Sequence, residues 1–245
     1  MTITLPAPAK LNLFLHITGR RSDGYHDLQT VFQLLDHGDE LSFTPTQSAE
    51  LQLSCNDPEL ENTDNLVLKA AQLLRARLQT DRSCRIHLHK HLPCGGGVGG
   101  GSSDAATTLL ALNHLWQGNL GLEELAKLGL QLGADVPVFV YGHTAWAEGL
   151  GEKLRQIALP EDWYVVLTPA CHIATAEIFS HQQLTRNSVP IRIPAFPFSG
   201  TKNDCETVAC QLYPAVKTAL EWLSLHAEAR MTGTGASVFA RLSSR

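Results

Sequence analysis

The segment Pro93-Cys-Gly-Gly-Gly-Val-Gly-Gly-Gly-Ser-Ser103 holds six of the 19 glycines of the chain. It follows a strand-like stretch, residues 85–92, and leads into an apolar stretch, residues 102–116, that predicts a helix with hydroxyls and Asp104 in its first turn. Glycine leaves backbone N–H groups uncovered, and such a loop running into a helix N-terminus can surround a phosphate. A flexible linker is the ordinary alternative, but linkers seldom stand between a strand and a capped helix. We therefore predict a phosphate-binding loop.

Three kinds of phosphate loop compete for this segment. A Walker A loop ends in Gly-Lys-Ser/Thr, whereas this loop ends in Gly101-Ser-Ser103 without a lysine, which excludes that kind. A dinucleotide fingerprint fits Gly95, Gly97 and Gly100 only weakly, because no acidic residue closes a following strand about 20 residues later. The third kind is the glycine loop of small-molecule kinases that lack a Walker motif.

The composition describes an ordinary globular chain of 245 residues, with 44% hydrophobic and 18% charged side chains and a formal net charge of −5. Basic residues are too dispersed for a nucleic-acid partner. The chain has neither a signal-like start nor a run of about 18 apolar residues, so we expect no membrane partner and a cytoplasmic location. Six scattered cysteines without a C-x-x-C pair indicate reduced thiols.

The hydrophobic pattern predicts an α/β protein with two lobes, divided near residue 155 into domains 1–155 and 156–245. Alternation predicts a half-buried strand over residues 9–17, and helical spacing predicts a helix over residues 65–79 capped by Asp64. Pro214 must kink or divide a further helical stretch. The other expected elements are strands at 28–35, 40–43, 50–54, 85–92, 138–141 and 163–167, a helix at 122–132, a helical stretch at 204–226, and a proline-rich connection at 189–200.

Lys10 and Asp135 are candidates for charge stabilisation and proton transfer. A strand lysine is more often exposed to solvent, and a carboxylate in a Gly-Ala-Asp-Val-Pro turn is as often a turn residue or a helix cap. Phosphoryl transfer, however, needs one carboxylate to accept the hydroxyl proton and one cation to neutralise charge on the transferred group. Lys10 and Asp135 can fill those two roles.

Four residues could form aromatic surfaces for a planar base: Tyr25, His26, Phe32 and Phe179. Core packing is the ordinary alternative for both phenylalanines. His26 follows an exposed turn, and its ring can both stack and form hydrogen bonds.

Three histidines alternate along one predicted strand, at His87, His89 and His91. This spacing resembles a metal site. Apolar residues occupy the alternate positions, however, so the histidines fit the solvent-facing side of an amphipathic strand better.

Three segments together resemble the signature motifs of the GHMP kinase superfamily. They are Pro8-Ala-Lys-Leu-Asn12, the glycine loop with its flanking Leu92, and Met231-Thr-Gly-Thr-Gly-Ala236. Further segments resemble the branch of that superfamily that acts on a cytidine-diphosphate-linked methylerythritol, and the resemblance runs from residue 6 to residue 240. Those further segments are Asp23-Gly-Tyr-His26, Thr63-Asp-Asn-Leu66, Gly133-Ala-Asp-Val-Pro137 and Asn203-Asp-Cys-Glu206.

The resemblance implies an α+β fold with an N-terminal lobe like domain 2 of ribosomal protein S5 and a ferredoxin-like C-terminal lobe. It also implies ATP-dependent phosphorylation of the 2-hydroxyl of that cytidylyl substrate, a step of non-mevalonate isoprenoid synthesis. Mg²⁺ should bridge the ATP phosphates, but no aspartate-rich motif identifies a metal ligand. The implied partners are ATP and the small-molecule substrate, and we expect a monomer or a weak homodimer.

The resemblance also assigns roles to individual residues. It makes Asp135 the catalytic base and Lys10 the lysine that orients or polarises the acceptor hydroxyl. The ATP-binding residues that it implies are Asn65, Lys90, Pro93, Cys94, Gly95, Gly96, Gly97, Val98, Gly99, Gly100, Gly101, Ser102 and Ser103. The substrate-binding residues that it implies are Asn12, Tyr25, His26, Phe32, Thr175, Phe179 and Gly235.

Members of this superfamily usually continue past the third motif with a further helix and strand. We therefore expect the second lobe to lack its last elements, with an effect on stability or self-association. Three rival functions stay open: a nucleotide-dependent oxidoreductase, a degenerate nucleotide-binding protein, and a kinase for another small alcohol such as homoserine or mevalonate.

Overall fold

The computed structural model describes residues 1–193 and 198–242, so part of the proline-rich connection at 189–200 lies outside the described residues. The chain forms two compact units, and each is assembled from separate stretches of sequence. The first unit contains residues 1–9, 34–92 and 99–143. The second contains residues 10–33 and 93–98 and the described part of 144–245. The division into domains 1–155 and 156–245 stays a prediction.

Two long strands, β1 (Ile3–Arg20) and β2 (His26–Thr46), each contribute residues to both units. In the first unit, β2 pairs antiparallel with β4 (Ser83–His89), and β3 (Gln52–Cys55) pairs parallel with β4. A short 3-10 helix, Pro58–Leu60, follows β3. The helices of this unit are α1 (Leu66–Leu78), α2 (Gly100–Leu115), α3 (Leu122–Leu130) and α4 (Val136–Tyr141).

Helix α4 corrects the prediction of a strand at residues 138–141. Five consecutive residues of α4 are buried, and a short apolar run carries no periodicity that separates a buried strand from a buried helix. Pro137 occupies the first turn of the helix, where a missing N–H costs nothing. The helix packs against α2 and α3.

Two predicted helix starts are also wrong. The side chain of Asn65, not Asp64, caps α1 by accepting a hydrogen bond from the N–H of Val67. Asp64 instead forms an ion pair with Lys69 at the surface. Helix α2 begins at Gly100, and no side chain caps it, so Asp104 lies beyond its first turn.

In the second unit, β2 pairs antiparallel with β5 (Ala145–Gly149), and β5 pairs with β6 (Lys153–Gln156). A three-stranded antiparallel sheet has the order β7 (Trp163–Leu167), β9 (Val238–Leu242) and β8 (Ala229–Met231). The helices are α5 (Thr175–Ser180), α6 (Glu206–Leu212) and α7 (Pro214–Ser224). Pro214 is the first residue of α7 and separates it from α6, which confirms that this proline divides the stretch.

Strand β1 is buried on both faces over residues 9–17, which corrects the prediction of a half-buried strand. Leu15 and Ile17 belong to the apolar core of the second unit. On the opposite face, the ring of Phe14 lies 5.7 Å from that of Trp146 and 5.9 Å from that of Phe198. Alternation predicts the faces of a strand but not whether a second layer covers the more polar one.

The predicted amphipathic character of β4 is confirmed. His87 and His89 are exposed, whereas Ile86 and Leu88 between them are buried. In the described part of the chain, no helix is both long enough and apolar enough to cross a membrane. All six cysteines are free thiols.

Candidate active site

The first half of the glycine loop, Pro93–Val98, is held by backbone hydrogen bonds in the second unit. The N–H of Lys10 in β1 donates to the carbonyl of Val98 at 2.9 Å. The N–H of Ser237, just before β9, donates to the carbonyl of Gly96 at 3.0 Å. The loop is therefore fixed through its backbone to β1 and to the residue before β9, although three of its six residues are glycines.

Gly97 requires glycine for two independent reasons. Its φ of 75° lies in the left-handed region, which L side chains rarely adopt. A Cβ atom at this position would lie 2.5 Å from the carbonyl oxygen of Thr232 and 2.8 Å from that of Gly235. The loop therefore touches the backbone of the third glycine-rich segment, Met231–Ala236, which the sequence also identifies as a motif.

The second half of the loop enters α2 in the first unit. Gly99 adopts a left-handed φ of 79°, and the helix begins at Gly100 without a side-chain cap. The N–H groups of the first turn of a helix have no partner within that helix, and the dipole of a 16-residue helix favours an anion at its N-terminus. The predicted phosphate loop thus ends at a helix N-terminus, a structure that can bind phosphate.

Lys10 is buried, with 2% of its surface exposed, so the solvent-exposed alternative is wrong. Its Nζ donates to Oδ1 of Asn12 at 2.6 Å and to the carbonyl of Gly97 at 2.8 Å. The same Nζ lies 5.6 Å from the ring centroid of Phe32. Lys10 therefore ties β1 to the glycine loop and carries a positive charge to it.

Asn12 is oriented by its neighbours. Its side-chain amide donates to Oγ1 of Thr30 at 3.0 Å, and its backbone N–H donates to Oγ1 of Thr232 at 2.8 Å. The predicted site residues Lys10, Asn12 and Gly97 consequently form one hydrogen-bonded cluster with the third segment.

Asp135 occupies the N-cap position of α4 and is partly buried. It lies in the predicted turn, and its side chain forms no capping hydrogen bond with the helix. Gly133, in the same turn, lies close to α2: its Cβ position would be 3.6 Å from Oγ of Ser102. The turn that carries Asp135 is therefore next to the first turn of α2.

Lys90 lies between two buried carboxylates of the first unit. Its Nζ donates to Oδ2 of Asp39 at 2.5 Å and to Oδ2 of Asp104 at 3.1 Å. Oδ1 of Asp39 accepts the backbone N–H groups of His91 and Leu92. This group of three charges, Asp39–Lys90–Asp104, lies against Gly100, whose Cβ position would be 3.1 Å from the Lys90 Nζ. It holds a positive charge at the start of α2.

One cation cannot fully neutralise two buried carboxylates. Burial raises the pKa of Asp104 to about 7; the charge of Lys90 opposes the rise, and that of Asp39 adds to it. Burial acts to lower the pKa of Lys90, but the two carboxylates together raise it above its ordinary value. Near neutral pH, Asp104 therefore holds a proton more readily than an exposed aspartate does, while Lys90 stays charged.

The substitution Asp104→Asn should make stability less dependent on pH. Between its ordinary value of 3.8 and about 7, the folded chain holds a proton on Asp104 that the unfolded chain has lost. The free energy of unfolding of the wild type therefore falls as pH rises through this window. In thermal melts, we compare the Tm of the variant minus the Tm of the wild type at two pH values. We expect this difference to be about 2–4 °C or more higher at pH 8 than at pH 5, which corresponds to roughly 1 kcal/mol.

The matched control is Asp64→Asn, because Asp64 forms an ion pair with Lys69 but its side chain is 92% exposed. Solvent screens such a pair, and the Tm difference from the wild type should be the same at both pH values. A Tm difference for Asp104→Asn that shrinks as pH rises would contradict the raised pKa.

The predicted base-binding residues differ in exposure. His26 is buried and stacks on Phe179, with 5.2 Å between ring centroids and 29° between ring planes. Tyr25 is 63% exposed, while Phe32 is 1% exposed and lies beside Lys10. His26, Phe179 and Tyr25 therefore offer aromatic surface, whereas Phe32 contributes mainly to the packing beneath Lys10.

Thr175 and Asn65 are placed by contacts that the sequence did not reveal. Oγ1 of Thr175, the first residue of α5, lies 3.2 Å from Oγ1 of Thr234 in the third segment. The side-chain amide of Asn65 donates to the carbonyl of Leu60, while its oxygen caps α1. Asn65 thus orders the start of α1, in the same unit as Lys90.

Four further residues support the predicted ones, although the sequence assigns none of them a role: Asp39, Thr30, Arg186 and Asn203. The side-chain amide of Asn203 donates to the carbonyls of Met231 and Gly233 at 2.8 Å and so holds the third segment. The motif Asn203-Asp-Cys-Glu206 was the only signal for any of the four. The other three lie far in sequence from the groups that they contact.

Comparisons with known proteins agree with this geometry. Residues 65–143 match the family described as GHMP kinases N terminal domain. A protein of Marinobacter nauticus named 4-diphosphocytidyl-2-C-methyl-D-erythritol kinase is 57% identical over 98% of this chain and 85% of its own length. The chain belongs to the 4-diphosphocytidyl-2-C-methyl-D-erythritol kinase family. It is therefore a small-molecule kinase, and this excludes the oxidoreductase alternative.

Solved structures support the family and the fold. A crystal structure of 4-(cytidine 5'-diphospho)-2C-methyl-D-erythritol kinase is 32% identical, with a TM-score of 0.80, and the match covers 97% of this chain and 89% of that one. A mevalonate kinase of Methanococcus jannaschii has a TM-score of 0.70 at 17% identity, over 99% of this chain and 90% of that one. The predicted α/β GHMP kinase fold is confirmed.

Proposed function

We propose that this member of the 4-diphosphocytidyl-2-C-methyl-D-erythritol kinase family transfers the γ-phosphoryl group of ATP to the 2-hydroxyl of 4-diphosphocytidyl-2-C-methyl-D-erythritol. The products would be ADP and the 2-phosphate, an intermediate of non-mevalonate isoprenoid synthesis. The observation that carries the proposal is the glycine loop, which is fixed at Gly97 by backbone contacts and leads into the uncapped N-terminus of α2. Such a loop provides N–H donors for phosphate without relying on flexible side chains.

ATP would bind with its phosphates on the loop 93–103 and near Lys90. The buried Oγ of Ser103 and Oδ1 of Asp104 lack a hydrogen-bond partner within the described residues, and they belong to the fourth and fifth residues of α2. Unpaired buried polar atoms are costly, so their presence here favours a bound polar group. The family implies ATP use, and we propose that Mg²⁺ accompanies the nucleotide. Residues 1–193 and 198–242 hold no cluster of three His, Cys, Asp or Glu side chains suited to a metal, so the ion would be held largely by phosphate.

Asp135 would accept the proton of the 2-hydroxyl as that oxygen bonds to the γ-phosphorus and the bond between phosphorus and ADP breaks. Asp135 lies in the turn before α4, and this turn lies next to the first turn of α2, so the fold brings a carboxylate close to the end of the glycine loop. Lys10 would stabilise negative charge on the transferred group, because its Nζ is already directed to the loop at Gly97. Catalysis then rests on positioning and charge stabilisation.

The cytidine moiety would bind against Tyr25, His26 and Phe179. The stacked pair of His26 and Phe179 supports this assignment, and exposed Tyr25 follows the turn directly before His26. Asn12, Thr175 and Gly235 would contact the polyol or phosphates of the substrate. We also propose that the chain is divided into an N-terminal and a C-terminal domain near residue 155. We propose further that it is a monomer or a weak homodimer.

Replacing Tyr25 with alanine should raise the KM for the cytidylyl substrate about tenfold and leave the KM for ATP within about twofold. Loss of one base–aromatic stacking contact is worth about 1–3 kcal/mol. Steady-state kinetics with each substrate varied in turn would measure this. The control is Trp163→Ala, since Trp163 is another exposed aromatic residue but lies outside the proposed site. Equal KM values for Tyr25→Ala and wild type would refute the cytidine assignment.

The proposed reaction is tested by an acceptor panel. ADP release from ATP and Mg²⁺ would be followed with the cytidylyl substrate, mevalonate or homoserine as acceptor. We expect turnover with the cytidylyl substrate and at least about 100-fold lower kcat/KM with the other two, because neither carries a base for the aromatic residues. Turnover that prefers another alcohol would overturn the substrate assignment. ATP binding without turnover on any acceptor would support the degenerate alternative.

A further inference from the structure

The guanidinium of Arg186 donates four hydrogen bonds beside the stacked pair of His26 and Phe179. Its Nε donates to Nε2 of His26 at 3.0 Å. Its Nη2 donates to the backbone carbonyls of Phe179 and His181, each at 2.8 Å. Its Nη1 donates to the backbone carbonyl of Leu184 at 3.2 Å. All these residues belong to the second unit. Four of the five N–H donors of the guanidinium are therefore used.

The three carbonyls belong to the end of α5 and to the segment that follows it. Helix α5 has only six residues and no side-chain cap, so little within it fixes where Phe179 lies. The planar guanidinium fork has a fixed geometry, and it joins this segment to the start of β2. One side chain thus contacts both members of the stacked pair, His26 through its ring and Phe179 through its backbone carbonyl.

The same hydrogen bond determines the proton position on His26. Arginine is always protonated in proteins and only donates, so Nε2 of His26 must carry a lone pair and not a proton. The ring is then neutral, with its proton on Nδ1. Burial lowers the pKa of His26, and the charges of Arg186 and then Arg20 lower it further, which agrees with a neutral ring.

We propose that Arg186 is a positioning residue for the cytidylyl substrate, which keeps His26 as the neutral Nδ1–H tautomer and clamps it against Phe179. The proposal rests on the proposed function, because that function makes these two rings part of the cytidine site. A neutral ring with a fixed Nδ1–H donor matches the acceptor atoms on the edge of a pyrimidine. A histidine free to change its tautomer or its charge would offer that donor only part of the time.

The first test needs no variant. Long-range ¹H–¹⁵N correlation spectra of the full chain, labelled on histidine, report which ring nitrogen carries the proton. We expect His26 to show a bare Nε2 and a protonated Nδ1, and to be mostly neutral at pH 6.5, the ordinary pKa of histidine. A proton on Nε2 in the wild type, or a charged ring at pH 6.5, would overturn the proposal.

The second test is Arg186→Met, which keeps an unbranched apolar stem about as long as the arginine side chain up to Nε but removes the guanidinium and every donor. The His26 pKa should move up toward its ordinary value, and the KM for the cytidylyl substrate should rise roughly tenfold, as expected when a hydrogen bond to a charged group is lost. The KM for ATP and kcat should stay within about twofold. The control is Arg192→Met, since Arg192 is an exposed arginine nearby in sequence. Arg186→Lys, which keeps the charge without the fork, should recover only part of the affinity.

The outcomes separate the inference from the function on which it rests. Normal turnover with an unchanged KM in Arg186→Met would refute the role of Arg186 and leave the proposed function standing. The expected tautomer without any turnover on the cytidylyl substrate would refute the proposed function instead. A failure of Arg186→Met to fold leaves the wild-type spectra as the deciding measurement.

Discussion

Replacing Asp135 with asparagine should lower kcat by about 10²- to 10⁴-fold, which is the usual contribution of an oriented general base. Asparagine keeps the size of the side chain at the start of α4 but cannot accept the hydroxyl proton. The affinity for ATP should stay close to that of the wild type, because the glycine loop and Lys90 are unchanged. Single-turnover kinetics would measure the first effect, and equilibrium binding of ATP the second.

The matched control is Asp81→Asn, since Asp81 is exposed in the turn before β4. That variant should have wild-type kcat. A kcat within about threefold of the wild type for Asp135→Asn would contradict the assignment of the base, given the size of effect expected of one. A thermal melt of each variant distinguishes lost chemistry from lost folding.

The substitution Gly97→Ala should weaken ATP binding at least about tenfold and also lower the Tm. Alanine in the left-handed region costs about 1–2 kcal/mol. Its Cβ would also lie 2.5 Å from the carbonyl oxygen of Thr232, and a backbone atom cannot yield as the end of a side chain can. The loop must therefore shift, and the phosphate donors shift with it. Calorimetric titration with ATP would measure the loss.

Substitutions at two other glycines separate the effect of backbone strain from the effect of the Cβ clash. Gly142 has a left-handed φ of 68° but open space around its Cβ position, so Gly142→Ala tests backbone strain alone. Gly121 has ordinary backbone angles and open space, so Gly121→Ala tests neither effect. ATP binding by Gly97→Ala that matches both controls would refute the phosphate-loop assignment.

The fold could be predicted from sequence where the backbone chemistry of a residue type, such as glycine or proline, allows only one local structure. The glycine loop before α2 and the division of a helical stretch by Pro214 followed from backbone chemistry alone. The strand predicted at 138–141 was wrong, because five consecutive residues of α4 are buried, so its sequence carries no helical periodicity. The second buried face of β1 could not be foreseen either, since it depends on Trp146 and Phe198, which are distant in sequence.

The candidate site likewise contains residues that the sequence could predict and residues that only the structure reveals. Lys10, the glycine loop and Asp135 stand in recognisable motifs, so their chemistry could be inferred before their positions were known. Asp39 and Arg186 carry no such motif. Their importance comes from contacts with Lys90 and His26 across 51 and 160 positions of sequence, and only the folded chain brings those pairs together.

The most direct test of the central claim is a ³¹P NMR spectrum of the products formed from ATP, Mg²⁺ and 4-diphosphocytidyl-2-C-methyl-D-erythritol. We predict that the wild type converts ATP to ADP and produces one new phosphomonoester signal, assigned to the 2-position by its coupling pattern, and that folded Asp135→Asn produces neither in the same time. Folded wild-type protein that binds ATP but yields no such phosphomonoester would contradict the account.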